Sequence, residues 1–230
     1  MTLAILARDP DTGNFGVGVT TSTPAAGGLD GIAHVPRFGL ALGISVPGYC
    51  HKVGGAILHA GLGAEIALGA MIGSDNGAVY RQLAVIDAEG RVAGFTGQSC
   101  VDHASHKIGD DYIVLGNWLA SRAVVEGLES GFLSSKGQPF ARRLIAALEG
   151  GRDAGGEISS PLISAVVTAF GSHEGTHLID LRTDGALDPT TGQPEDPVGR
   201  ILETYEHIAP LQAAIELGRL KPETLWANFT

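Results

Sequence analysis

The pattern of apolar and polar positions opens on an almost unbroken apolar run. Residues 3–7 are apolar and end at Asp9-Pro10-Asp11-Thr12-Gly13, a turn-forming cluster, and residues 15–21 follow as a second strand. A first strand starting at Thr2 or Leu3 ties the beginning of the chain into a sheet at once. Residues 23–30 are a Gly/Pro/Ala loop, and residues 38–46 read as a buried strand ended by Pro47-Gly48. Residues 52–60 and 64–72 predict helices split at Gly61-Leu62-Gly63. Two hairpins follow. One pairs residues 79–87 with 91–96 around Ala88-Glu89-Gly90; the other pairs 102–107 with 112–115 around Gly109-Asp110-Asp111. Helical spacing returns over 118–132 and 139–148, a loop spans 150–156, and strands are expected at 162–170 and 177–182. After a loop over 184–196, Pro197 stands in the first turn of a helix running to residue 208.

Strands and helices thus come in blocks rather than alternating singly. That order favours an α+β fold of two mostly antiparallel sheets packed face to face, with helices outside. No linker or composition shift interrupts the chain, so residues 1–230 are expected to form a single domain.

Composition narrows the function classes. With 44% hydrophobic and 17% charged residues, the chain is globular in type. A net charge of -10 argues against nucleic acid and against an anionic membrane surface, since both call for clustered Lys and Arg. The most apolar stretch, residues 54–73, contains His59, Glu65 and several glycines, which favours buried helices over a membrane span. The first residues lack the basic-then-apolar pattern of a leader, and Cys50 and Cys100 read as two reduced thiols; a cytoplasmic protein is the expectation. The 34 glycines follow no collagen period and suggest tight turns and close backbone contacts.

Several residues offer chemistry. Removal of Met1 leaves Thr2 with a free α-amine beside its hydroxyl. That amine has a reference pKa of about 7.7–8.0, so nucleophile and base sit on one residue, provided the strand holds them rigid. Met-Thr starts are common, and Thr2 alone is a weak signal. Cys100, in the run Gly97-Gln98-Ser99-Cys100-Val101-Asp102-His103-Ala104-Ser105-His106, suggests a thiol nucleophile or a zinc site. On a strand, however, His103 and His106 face opposite sides, which leaves a buried thiol and two half-exposed histidines as the simpler account. In Gly48-Tyr49-Cys50-His51-Lys52 a helix start offers backbone N–H groups, and Lys52 is placed to depress the pKa of a neighbouring amine or nucleophile; a solvated lysine is the plainer reading. Arg8 and Asp9 are candidates to orient substrate, or simply charges at a strand end. Asn117 is either an amide donor in a cleft or a helix cap. No phosphate loop or dinucleotide fingerprint occurs, so no cofactor and no metal are expected.

Several of these motifs together resemble one bacterial family, domain of unknown function 1028. They are the opening Thr2-Leu3-Ala4-Ile5-Leu6-Ala7-Arg8-Asp9-Pro10-Asp11-Thr12-Gly13, then Tyr80-Arg81-Gln82-Leu83-Ala84-Val85-Ile86-Asp87 and Phe95-Thr96-Gly97. Cys100, the run ending Gly116-Asn117-Trp118-Leu119-Ala120, and Ala154-Gly155-Gly156-Glu157 complete the set. The resemblance extends to about Asp180. It implies the four-layer αββα sandwich of the N-terminal-nucleophile hydrolases, with Thr2 at the nucleophile position. It also implies that Arg8, Asp9, Arg81, Gln82, Cys100 and Asn117 match family motifs. The chain departs at Ile158-Ser159-Ser160-Pro161, where the family commonly carries Arg and Gln, and over residues 21–48.

The resulting expectation is an amide-bond hydrolase of the amidohydrolase or acylase type, acting on a small amide. Thr2, Asn117 and Lys52 carry catalysis, and Arg8, Asp9, Arg81, Gln82, Cys100 and His103 bind substrate. The alternatives are a non-catalytic small-ligand-binding or assembly protein on the same fold, and a hydrolase using Cys100. Large antiparallel sheets and Gly-rich apolar helices suggest a homodimer.

Overall fold

The computed structural model describes residues 2–24, 26, 31–45, 49–101, 103–158, 160–171, 177–185, 187–216 and 219. The end of the expected strand 38–46 with its Pro47-Gly48 stop, the first residue of the strand expected at 102–107, and Ser159 of the segment 158–161 lie outside them. The α+β class is present, with two antiparallel sheets and five helices. The strands are β1 (Thr2–Arg8), β2 (Phe15–Thr21), β3 (Ile32–Val35), β4 (Gly39–Ile44), β5 (Gln82–Asp87), β6 (Val92–Thr96), β7 (Ser105–Gly109), β8 (Tyr112–Asn117), β9 (Ser164–Phe170) and β10 (His177–Asp184). The helices are α1 (Cys50–His59), α2 (Ala64–Gly73), α3 (Ala123–Ser134), α4 (Phe140–Asp153) and α5 (Pro197–Glu216). One sheet has six strands in the order β10-β9-β2-β1-β8-β7, and the other four in the order β3-β4-β5-β6.

Side chains alternate between faces along each strand, and the alternation here divides the apolar residues into three cores. Leu3, Ile5 and Ala7 of β1 join α3, α4 and α5 on one face of the larger sheet. Ala4 and Leu6 turn to the other face and meet Ala84 and Ile86 of β5 between the sheets, with Val17, Val19, Ile113 and Leu115. Leu83 and Val85 then point away from the larger sheet, onto α1 and α2. Strands covered on both faces read as continuous apolar runs, which is why β1 and β5 lack a polar alternation.

Three expectations are corrected. The helix expected from Trp118 begins at Ala123, because Trp118 adopts a left-handed backbone, φ 58°, that turns the chain after β8. The helix expected to stop at 148 runs to Asp153. Gly150 is not a turn residue: a Cβ there would lie 2.2 Å from the Gly127 carbonyl oxygen, so the glycines let α3 and α4 cross backbone to backbone. The strand β3 was not expected; its four half-buried residues sit at a sheet edge and are too few to show a period.

Candidate functional site

Thr2 has the same parity on β1 as Ala4 and Leu6, which face the space between the sheets. Asn117 continues the row Ile113, Leu115 on β8, and Gln82 begins the row Gln82, Ala84, Ile86 on β5. Thr21 ends the row Val17, Val19 on β2. These four rows therefore end in polar residues, and the ends coincide. Thr2 pairs with Asn117, and the Leu3–Thr20 register puts Thr21 on its other side. All four are buried.

Hydrogen bonds join the two sheets at this end. Asn117 Nδ2 donates to Gln82 Oε1 at 2.9 Å; Gln82 Nε2 donates to Thr96 Oγ1 at 3.0 Å and to the Ser105 carbonyl at 3.1 Å. Both Gln82 amide hydrogens are thereby used, and Gln82 fixes the orientation of Asn117, whose second Nδ2 hydrogen lies outside this pair. Thr96 Oγ1 lies 2.8 Å from His106 Nδ1, and burial holds the His106 ring below its ordinary pKa and hence neutral.

Glu157 closes the end. Ser22, next after β2, donates its backbone N–H to Glu157 Oε1 at 3.2 Å. On the other side Leu119, just after β8, forms a bridge with Glu157, and the Ile158 N–H reaches the Trp118 carbonyl at 3.3 Å. Because β1 lies between β2 and β8, Glu157 spans the end of β1 just beyond Thr2. Burial pushes its carboxyl up, a rise that the Ser22 hydrogen bond only partly offsets. Its Oε2 atom is buried with no hydrogen-bond partner. Glu157 also lines a cleft of about 610 Å³ with Arg152, Gly155, Gly156, Leu162 and Asp196.

The other expected site residues divide. Arg81 is adjacent to Gln82 and pairs with Asp75, Nε to Oδ2 2.8 Å, both largely shielded. Cys100 Sγ donates to the Arg81 carbonyl at 3.4 Å, and burial pushes the thiol up, so it is held protonated rather than as a nucleophilic thiolate. Lys52 is exposed on the first turn of α1, its Nζ 5.0 Å from the Tyr49 ring centroid, a solvated lysine over an aromatic face. His103 is exposed, with φ 57°, and lines a separate hollow of about 360 Å³ with Arg122 and Glu126.

Arg8 and Asp9, expected to bind substrate, stand at the other end of β1 from Thr2. Six residues of extended strand put Arg8 roughly 20 Å from Thr2. There Arg8 Nη1 pairs with Asp111 Oδ1 at 3.0 Å, and Asp9 organises the turn by accepting from Thr12 Oγ1 at 2.7 Å and from the Asp11 N–H at 3.2 Å. Thr21, Thr96, His106 and Glu157 were not expected in the site. The available signal for the first two was a polar residue ending an alternating apolar row.

The model of the family described as "Family of unknown function (DUF1028)" matches residues 2–192. Among solved structures, the chain is similar to the crystal structure of protein SPO2555 from Silicibacter pomeroyi, described by the same family model. The TM-score is 0.77 and the identity 28%, over 90% of this chain and 88% of that one. No curated protein matches the chain. Among the described residues, no helix is long and apolar enough to cross a membrane.

Proposed function

The chain belongs to the DUF1028 family, and from that premise we propose that it is an amide-bond hydrolase of the N-terminal-nucleophile type, with Thr2 as nucleophile. The observation that carries the proposal is the convergence of Thr2, Asn117 and Gln82 at one end of the inter-sheet space. Two further features support it: α1 and α2 on one sheet and α3 to α5 on the other fit the αββα sandwich of that hydrolase class, and Glu157, docked beyond the end of β1, lines a cleft large enough for a small amide.

Cutting the bond before Thr2 frees its α-amine. The amine takes the hydroxyl proton as Oγ attacks the amide carbonyl carbon. The carbonyl oxygen, now negative, accepts a hydrogen bond from the remaining Asn117 Nδ2 hydrogen. The protonated amine returns its proton to the leaving nitrogen, the C–N bond breaks, and an ester on Thr2 Oγ remains. Water then attacks the ester as the amine takes its proton, the Oγ–C bond breaks, and the amine passes that proton to Thr2 Oγ, releasing the acid. Gln82 acts as a positioning residue on Asn117.

The test is turnover of a panel of small amides by protein whose intact mass shows Thr2 as the first residue. Thr2→Ala is expected to bring turnover to background while thermal unfolding stays put, and Cys100→Ser to retain it. Turnover that survives Thr2→Ala overturns the proposal. Loss on Cys100→Ser, with Thr2→Ala active, favours the thiol. Saturable ligand binding with no turnover in any form favours a binding protein.

A further inference from the structure

Glu157 combines features that seldom coincide without a ligand. Its side chain is 9% exposed, so the carboxylate has little water around it. One oxygen accepts the Ser22 N–H, and the other has no hydrogen-bond partner. A buried carboxylate oxygen left unpaired costs about 1–3 kcal/mol or more, so such atoms generally have a partner in the working state. The group is also fixed from two directions. Ser22 holds it from the β2 side, and the Leu119–Glu157 bridge holds its backbone from the β8 side. Neighbouring strands stand about 4.8 Å apart. A residue tied to both β2 and β8 therefore lies over the first residue of the strand between them, Thr2.

We propose that Glu157 is the acceptor for the α-amine of Thr2, its unpaired carboxylate oxygen taking an amine N–H and so turning the amine lone pair toward the Thr2 hydroxyl. The inference rests on Thr2 becoming a free terminus. In the amide form the residue 2 nitrogen has a single hydrogen; in the amine form it has at least two, and the additional donor is what the unpaired oxygen lacks. Glu157 is a positioning residue: the reacting atoms are the Thr2 hydroxyl and amine.

Among the described residues that flank Thr2 or line the Glu157 cleft, Glu157 is the charged group outside an ion pair. Across the sheet Thr2 faces Thr21 and Asn117, both uncharged, and Gln82 from the other sheet is uncharged. The remaining charged groups of the cleft are Arg152, Glu195 and Asp196. Arg152 pairs with Asp153 and Asp196, and Glu195 with Arg200. A carboxylate within a few ångströms of an amine favours its protonated form and raises its pKa. Glu157 therefore sets the pH above which the Thr2 amine becomes a base.

Periodate provides the measurement. It cleaves the Cα–Cβ bond of an N-terminal threonine, and the rate rises as the amine loses its proton. Protein carrying Thr2 first is made by cutting a cleavable fusion, and the oxidation rate is followed by intact mass against pH. Glu157→Gln is expected to lower the midpoint by about one pH unit, while Glu157→Asp, which keeps the charge, stays nearer the parent. A midpoint unchanged in Glu157→Gln overturns the proposal. If Glu157→Gln fails to fold, the unsubstituted protein is compared with the free peptide Thr-Leu-Ala-Ile. A midpoint above that of the peptide supports the proposal, and one at or below it overturns it. None of these readings requires turnover. A protein with no amidase activity but a Glu157-dependent midpoint would sink the proposed function and leave this inference standing.

Discussion

Asp87, at one end of the paired sheets, accepts hydrogen bonds from the backbone N–H groups of Ala64, Glu89 and Arg91 and from Arg91 Nε at 2.8 Å. Glu157, at the other end, accepts from Ser22 at one oxygen, and its second oxygen has no hydrogen-bond partner. Both carboxyls are buried, and burial acts against the charge of each. At Asp87 the bonds from Ala64 and Arg91 outweigh burial and hold the carboxyl below its ordinary range; at Glu157 burial wins and pushes it above. The same contrast runs through the neighbours. The Asp87 end has Arg8 on Asp111, Asp9 within its own turn, and the Gly90 turn packed against Asp111. The Glu157 end has the neutral amides of Asn117 and Gln82 and the hydroxyl of Thr96. The two ends thus treat a buried carboxylate in opposite ways, saturating Asp87 and leaving one oxygen of Glu157 unpaired.

The sharpest way to break the comparison is to exchange the expected effects of the two ends. Asn117→Ala removes the proposed oxyanion donor and is expected to lower kcat/KM for amides about 10²–10³-fold. It also strands Gln82 Oε1, at roughly 1–3 kcal/mol of stability, read by urea unfolding. Asp87→Ala is expected to do the opposite. It uncaps α2 and abandons the Arg91 pair, costing about 2–3 kcal/mol in the same unfolding experiment, with kcat/KM within about twofold of the parent. An Asp87 variant that is stable but inactive would show that the saturated end also works.

Much of this division is legible in the sequence, once the strands are read by parity rather than by neighbourhood. Thr2-x-Ala4-x-Leu6, Gln82-x-Ala84-x-Ile86, Val17-x-Val19-x-Thr21 and Ile113-x-Leu115-x-Asn117 each place one polar residue at the end of an inward row. Which ends meet follows from pairing register, which no single strand encodes. Arg8 illustrates the trap: it stands six positions from Thr2 in a motif that resembles the family's, yet an extended backbone carries it to the far end. Glu157 illustrates the opposite case, because its place over Thr2 depends on a loop docked between β2 and β8, a tertiary contact with no local period. The helical character of Gly150 is hidden for a related reason. Glycine there serves the crossing of α3 and α4, and a turn and a close helix contact call for the same residue.

Titration sharpens the comparison further. The Asp87 carboxyl is depressed in the folded state, so its stabilisation is present above the unfolded value of about 3.9 and is lost as pH falls through the lower folded value. The Glu157 carboxyl is raised, so the sign reverses. Below the unfolded value of about 4.3 it is neutral in both states and neutral with respect to stability; as pH rises toward the folded value a penalty sets in and then stays. In protein that keeps Met1, Glu157→Gln is therefore expected to raise the unfolding midpoint at pH 7 and to leave it unchanged at pH 3.5. A loss of stability at pH 7 would mean that the carboxylate is held by a partner in the folded state, and the two ends would then be alike.

The smallest expected effect tests the division most directly. Arg8 and Asp111 are 19% and 25% exposed, and a pair so placed contributes about 0.2–1 kcal/mol. Arg8 also leaves its buried Nε without a hydrogen-bond partner, a cost that the pair has to offset. Arg8→Met keeps the apolar stem against the sheet and removes both the pair and the unpaired nitrogen. The two changes nearly cancel, and the shift in unfolding free energy is expected to stay below about 1 kcal/mol. Activity is expected to be unchanged, since about 20 Å of strand separates Arg8 from Thr2. Arg8 stands in the opening motif beside Asp9, so a fall in kcat/KM without a fall in stability would restore it to the site. It would also mean that the strand transmits an effect from end to end, and that saturation of polar groups does not mark which end of this fold works.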